Sequence, residues 1–164
     1  MPDLLTHALI GYTIATTLGF RYRWLTPPWV TVCMMGTFIP DLTKIRLLIP
    51  NYRVEQYLGT PFDWFGLHTA GGSVVSVLIG AILVPREYRR RVFALLTLGA
   101  GSHLLFDAFL IKTSGHMSPM LWPITDFGFA MPGFYLSSDR WPALVTGILA
   151  ALVWLATQRS HRTH

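Results

Sequence analysis

The chain has 164 residues, the size of one domain, with 52% hydrophobic and only 13% charged residues. An ordinary soluble domain carries roughly 25% charged residues, and a globule this small needs them to cover its surface. A mean hydropathy of +0.44 argues against a cytosolic enzyme, a disordered tail and a nucleic-acid module, and for a polytopic membrane protein. The formal charge of +5 would suit a nucleic-acid partner, but the basic residues cluster between apolar runs without interleaved aromatics. Membrane orientation accounts for them better. The single cysteine, Cys33, excludes an intramolecular disulfide and a cysteine-based zinc motif; it reads as a small apolar helix residue.

A bilayer core takes ~20 mainly apolar residues per helix, with ~17 as a lower limit. Five stretches qualify in chain order: residues 4–20, 29–49 with a kink at Pro40, 68–84, 91–111 and 141–157. The first has no basic segment before it and no small-residue cleavage site, so it is expected to stay as a helix. Residues 51–66 mix Tyr52, Tyr57, Phe62, Trp64 and Phe65 with Arg53, Glu55 and Asp63, a composition suited to the headgroup level. Residues 112–140, rich in Gly, Pro and aromatics, are too long for a turn and are expected to fold over one membrane face or re-enter it. The predicted fold is all-α, a single integral-membrane helical domain over residues 1–164. It has about five transmembrane helices, an interfacial segment and a long outer loop.

Orientation follows from the loops. Those after spans 1 and 3, with the C-terminal tail, hold eight arginines (21, 23, 86, 89, 90, 91, 159 and 162) against the single acid Glu87. The remainder holds Lys44, Arg46, Arg53, Lys112 and Arg140 against seven acids. The positive-inside rule then puts the N-terminus outside and the C-terminus in the cytoplasm.

Ionisable residues inside spans are costly and mark function. Here they are His7, Asp41, His68, His103 and Asp107, drawn from four spans and all at the level predicted to face out. Residues four apart share a helix face, and His7 continues into Gly11, Ala15 and Gly19. His68 likewise continues into Gly72, Ser76 and Gly80, while Gly99 aligns with His103 and Asp107. Small residues at this spacing mark faces where membrane helices approach closely. Three imidazoles and two carboxylates without cysteine suit zinc or another divalent metal, which would polarise a bound oxygen and acidify water. A structural His/Asp network joining helices is the alternative. His116 reads as a further ligand, a proton donor or a solvated loop residue. Asp3 reads as a helix cap or a partner of a ligand histidine, and Asp126 as a loop stabiliser or substrate contact. Lys44 and Arg46 read as headgroup anchors or phosphate binders.

At these residues the chain resembles the predicted membrane-bound metal-dependent hydrolases, also described as LexA-binding inner-membrane hydrolases (the YdjM-like family). The matching pieces are Thr6-His7-Ala8, Phe38-Ile39-Pro40-Asp41, His68-Thr69, the run from Gly101 to Asp107, and Leu121-Trp122-Pro123. They span most of the first ~125 residues. Thr43 stands where that family commonly has a second aspartate, and Asp63-Trp64-Phe65-Gly66-Leu67 where it often has His-Arg-Gly. More distantly, the order His, Asp, His, HxxxD resembles the zinc-dependent phospholipase C and single-strand nuclease superfamily. That resemblance implies one zinc on Asp41, His68, His103 and Asp107, with His7 joining a second metal bridged by Asp107 and His116 part of a third site. One to three ions, most simply zinc, are therefore expected. The implied activity is hydrolysis of a phosphoester on a phospholipid or other lipid-linked phosphate at the outer face of a bacterial or archaeal cytoplasmic membrane. Asp41, Asp107 and His116 are the implied catalytic residues, and no nucleic-acid partner is expected. Two further readings remain open: a metal transporter or sensor without catalysis, and a scaffold using His and Asp to hold helices.

Overall fold

Residues 4–111, 119–125 and 133–162 are described by a computed structural model of the chain. Within them the fold is all-α. Six α-helices run in order: α1 (Leu4–Gly19), α2 (Pro27–Thr37), α3 (Asn51–Leu58), α4 (Ala70–Ile82), α5 (Arg89–Ala108) and α6 (Trp141–Arg162). Two 3-10 helices, Pro40–Leu47 and Trp64–His68, lie between α2 and α3 and between α3 and α4. Helices form at all five predicted stretches. One of them, Trp141–Arg159 within α6, is long and apolar enough to cross a membrane; α1 and α4 are apolar but shorter, at 16 and 13 residues.

The second and third stretches differ from the simple spans expected, for local reasons. Pro27 and Pro28 start α2, where a missing N–H costs nothing. Pro40 then stops it, because it has no N–H to return to the Gly36 carbonyl four residues back. The chain continues as a 3-10 helix, so Asp41 lies in a tight turn beyond the break rather than in a kinked α-helix. Just before the third stretch the Asp63 side chain accepts from Phe65 N–H and opens the second 3-10 helix. Thr69 is extended, and its hydroxyl accepts from Gly72 N–H to start α4 afresh. His68 therefore ends the 3-10 turn and does not share a continuous helix face with Gly72, Ser76 and Gly80.

At the centre, α5 packs against α2, α4 and α1, while α6 lies along α1. The α2–α5 crossing is a glycine contact. A Cβ on Gly36 would lie 2.6 Å from the Leu96 carbonyl, and one on Gly99 would overlap the Cys33 carbonyl. Small apolar clusters line these seams, one around Ala15, Val30, Cys33 and Leu95, another around Val77, Val92, Leu96 and Ala100.

The distribution of polarity is inverted relative to a soluble core. Thr6, His7, Thr37, Asp41, His103 and Asp107 are buried, whereas Val74, Val75, Leu78 and Ile79 of α4 are exposed. So are Leu144, Ile148, Leu152 and Leu155 of α6. The aromatic 51–66 segment folds on itself: Asn51 donates to Asp63, Phe62 N–H to Glu55, and Trp64 Nε1–H to the Ile49 carbonyl. Gly59, at φ 68°, caps α3 in the left-handed conformation. Two of the acids expected at the headgroup level thus stabilise their own loop, and Tyr57 projects at 91% exposure.

Candidate metal centre

Each of the five predicted ligands is buried, and the fold brings them together. His7 comes from the first turn of α1, Asp41 from the start of the first 3-10 helix, and His68 from the end of the second. His103 and Asp107 stand one turn apart on α5. Their donor atoms form two overlapping groups, His7–His103–Asp107 and Asp41–His68–His103, with all atoms of a group within 4.8 Å of one another. His116, Asp3, Asp126 and Lys112 lie outside the described residues.

Three imidazole nitrogens face the Asp107 carboxylate. His7 Nε2 is 3.4 Å from Oδ1, while His68 Nε2 and His103 Nε2 are 3.1 and 3.5 Å from Oδ2. The opposite ring nitrogens fix the tautomers. His68 Nδ1 lies 3.1 Å from the Pro40 carbonyl, and His103 Nδ1 2.7 Å from the Thr37 carbonyl. A carbonyl only accepts, so both Nδ1 atoms donate, and in the neutral rings Nε2 presents a lone pair. That lone pair meets a carboxylate, another acceptor. Protonating both rings is costly, because the His68 and His103 centroids are 5.3 Å apart and two buried imidazoliums at that distance repel. A cation between the donors satisfies all of them.

Three features fit a divalent ion. Ligands around tetrahedral zinc, with bonds of roughly 2.0–2.1 Å, stand about 3.3 Å apart, and the observed separations of 3.1–3.5 Å match. Metal-binding histidines donate their other N–H to a carbonyl or carboxylate, as His68 and His103 do here. Finally, among the described residues His7 Nε2, Asp41 Oδ1, His103 Nε2 and Asp107 Oδ1 are buried without hydrogen-bond partners, each worth about 1–3 kcal/mol if left unsatisfied. Together the clusters make a candidate metal-binding site consistent with a metal-dependent enzyme.

The orienting carbonyls escape a reading of side chains. Both come from the break between α2 and the first 3-10 helix, and the proline at position 40 is the one sign of it in the sequence. Lys44 makes a contact that neither the anchor nor the phosphate-binder reading includes. Its Nζ lies 2.7 Å from Asp41 Oδ2, because side chains three apart eclipse in a 3-10 helix, whereas Arg46 is exposed.

Described parts of the 112–140 stretch seat beside the site. Ala70 and Gly71, at the start of α4, donate to the carbonyls of Met120 and Trp122. Farther on, Ile111 N–H donates to the Tyr135 carbonyl, and the Tyr135 hydroxyl donates to the Phe106 carbonyl at 2.5 Å. Burial, with the charge of Asp107 adding, pushes the Tyr135 phenol up to about 12, so it remains a donor at neutral pH. These contacts tie the loop to the helix ends that carry His68 and Asp107.

No family model, no curated protein and no solved structure matches the chain.

Proposed function

We propose that this chain is an integral-membrane, metal-dependent hydrolase that cleaves a phosphoester of a phospholipid or other lipid-linked phosphate at the outer membrane interface. The observation that carries the metal-dependent part is the meeting of three Nε2 atoms on one buried carboxylate, with two of the rings locked by main-chain carbonyls. His7, His68, His103, Asp41 and Asp107 would hold one to three ions, most simply zinc. When bound, such an ion supplies Lewis acidity and lowers the pKa of water toward ~7.

The chain's own residues divide the remaining work. The Thr37 and Pro40 carbonyls hold the rings of His103 and His68 in the tautomer that leaves Nε2 free. Asp107 gathers the donors, and a carboxylate oxygen of Asp41 or Asp107 is the base that orients and deprotonates the attacking water. The membrane part of the proposal draws support from the exposed aliphatic faces of α4 and α6, which lipid would cover more cheaply than water. The aromatic 51–66 segment and the 112–140 loop would receive the acyl or prenyl part of the substrate. The lipid-phosphate class and the placement in a bacterial or archaeal cytoplasmic membrane, site outward, follow from the family resemblance and the arginine distribution.

Metal analysis of the purified protein, followed by a screen of lipid phosphoesters with and without chelator, tests this reading. The expected result is at least one tightly held divalent ion and chelator-sensitive release of a phosphate-bearing headgroup. Metal flux into proteoliposomes without hydrolysis would make the protein a transporter instead, and a stable metal-free protein would make it a scaffold.

A further inference from the structure

We propose that Lys44 and the ion held by the His/Asp cluster together bind a phosphate oxyanion, with Lys44 reading its negative charge. The inference rests on the hydrolase reading above and assigns the substrate's anionic group to a particular side chain.

Lys44 connects the buried cluster to its surroundings. Its Nζ is 2.7 Å from Asp41 Oδ2, yet the Lys44 side chain is 41% exposed where that of Asp41 is 3% exposed. The 3-10 turn positions it, since residues 41 and 44 eclipse along that helix. An ammonium has three donors. One goes to Asp41, and the other two find no hydrogen-bond partner among the described residues.

Asp41 is shared between the two halves of this arrangement. Oδ2 is held by Lys44, while Oδ1 is buried and unpartnered, and the Asp41 carboxylate groups with His68 and His103. The carboxylate therefore sets the distance from the ammonium to the ion. Charge balance points the same way. Two carboxylates offset one divalent ion, and the Lys44 charge then remains uncompensated until an anion arrives. A phosphate group presents several oxygens and can touch ion and ammonium together, with charge-assisted hydrogen bonds to the latter. A neutral ester leaves Lys44 unanswered. The phosphate could be free or part of a lipid headgroup, and the chemistry of recognition is the same.

The test uses the full-length zinc-loaded protein in detergent micelles, titrated with inorganic phosphate. Lys44→Met should keep the wild-type zinc content and weaken phosphate binding about 10-fold, and Lys44→Arg should restore most of that loss. In turnover the same loss should appear in KM for an anionic phosphoester, with kcat changing far less. Should K44M fail to fold, K44Q carries the measurement. Protein in phosphatidylcholine nanodiscs, with or without phosphatidic acid, separates the sources. Displacement of inorganic phosphate by phosphatidic acid assigns a lipid headgroup and lack of displacement a free phosphate, while the K44M loss reads the ammonium's role in either case. Equal phosphate affinity in wild type and K44M would overturn it, as would loss of zinc from K44M, which would make Lys44 only a structural partner of Asp41. Wild-type protein that holds zinc but takes phosphate in neither form would bring down the hydrolase reading itself, a result distinct from a failure of Lys44 alone.

Discussion

Asp107 is the residue on which the three imidazoles converge. Replacing it with Asn keeps its shape and removes the charge, so the Nε2 lone pairs lose their common counterpart. Asp107→Asn is expected to lower metal affinity by roughly 100-fold or more, judged against the 10–100-fold cost of removing an orienting partner. Metal content after dialysis checks this, with helix content unchanged by circular dichroism. His103→Ala should do the same and abolish turnover; full activity in a metal-free H103A protein would end the mechanism. Proton competition has a definite sign. The histidines must be neutral to bind metal, so protons compete with the ion for the same nitrogens. Metal, with the stability it adds, is therefore held more tightly as pH rises and released as pH falls. Loss of metal on raising the pH from 6 to 8 would contradict the assignment.

Residue by residue, the donors themselves were legible. His7, Asp41, His68, His103 and Asp107 stand out because imidazole and carboxylate are costly in apolar stretches. What orients them was less legible: main-chain carbonyls carry no signature in residue type, and the Lys44–Asp41 pair depends on a 3-10 spacing that an α-helical reading does not give.

The break between α2 and the first 3-10 helix has a job beyond ending a helix. Thr37 gives its carbonyl to His103, Pro40 gives its carbonyl to His68, and Asp41 follows directly. Continuing the i→i−3 bonds of Phe38 and Ile39, Pro40→Ala restores an N–H that competes with His103 for the Thr37 carbonyl. Metal affinity should fall about 10–100-fold while the fold persists, read by metal titration and thermal unfolding in parallel. The α2–α5 crossing makes a different demand. Gly99→Ala forces a methyl group onto the Cys33 carbonyl, and the helices must separate at a cost of about 1–3 kcal/mol. A lower Tm in detergent, with weaker metal retention, is the expected result. The alignment of Gly99 with His103 and Asp107 foreshadowed this close approach. The third stretch offered a false alignment. His68 and Gly72 share four-residue spacing but not a helix, because Asp63 and Thr69 each cap a separate element.

Across the whole molecule, polar groups are buried while the aliphatic faces of α4 and α6 are exposed, a distribution that suits the proposed membrane setting. The composition carries the same suggestion. Helix lengths were harder to read, since breaks at Pro40 and Thr69 shorten segments that hydropathy alone runs together. Single-cysteine labelling tests the proposed orientation, because Cys33 is fully buried and contributes little background. In sealed right-side-out vesicles, Tyr57→Cys should react with an impermeant maleimide, and Gln158→Cys should react only after permeabilisation. Leu152→Cys on the exposed face of α6 should react in neither condition. Reversed labelling of positions 57 and 158 would invert the topology and move the site to the cytoplasm.

The donors come from α1, both 3-10 helices and α5, pieces of chain up to a hundred residues apart. With an ion in place these segments would share one anchor; without it, the Asp107 carboxylate faces the lone pairs of His68 and His103, acceptor against acceptor. Assembly and loading would then be one event, and a cell short of that ion would accumulate a loosened protein open to proteolysis. Nutrient supply would thereby set how many copies survive as well as how many work.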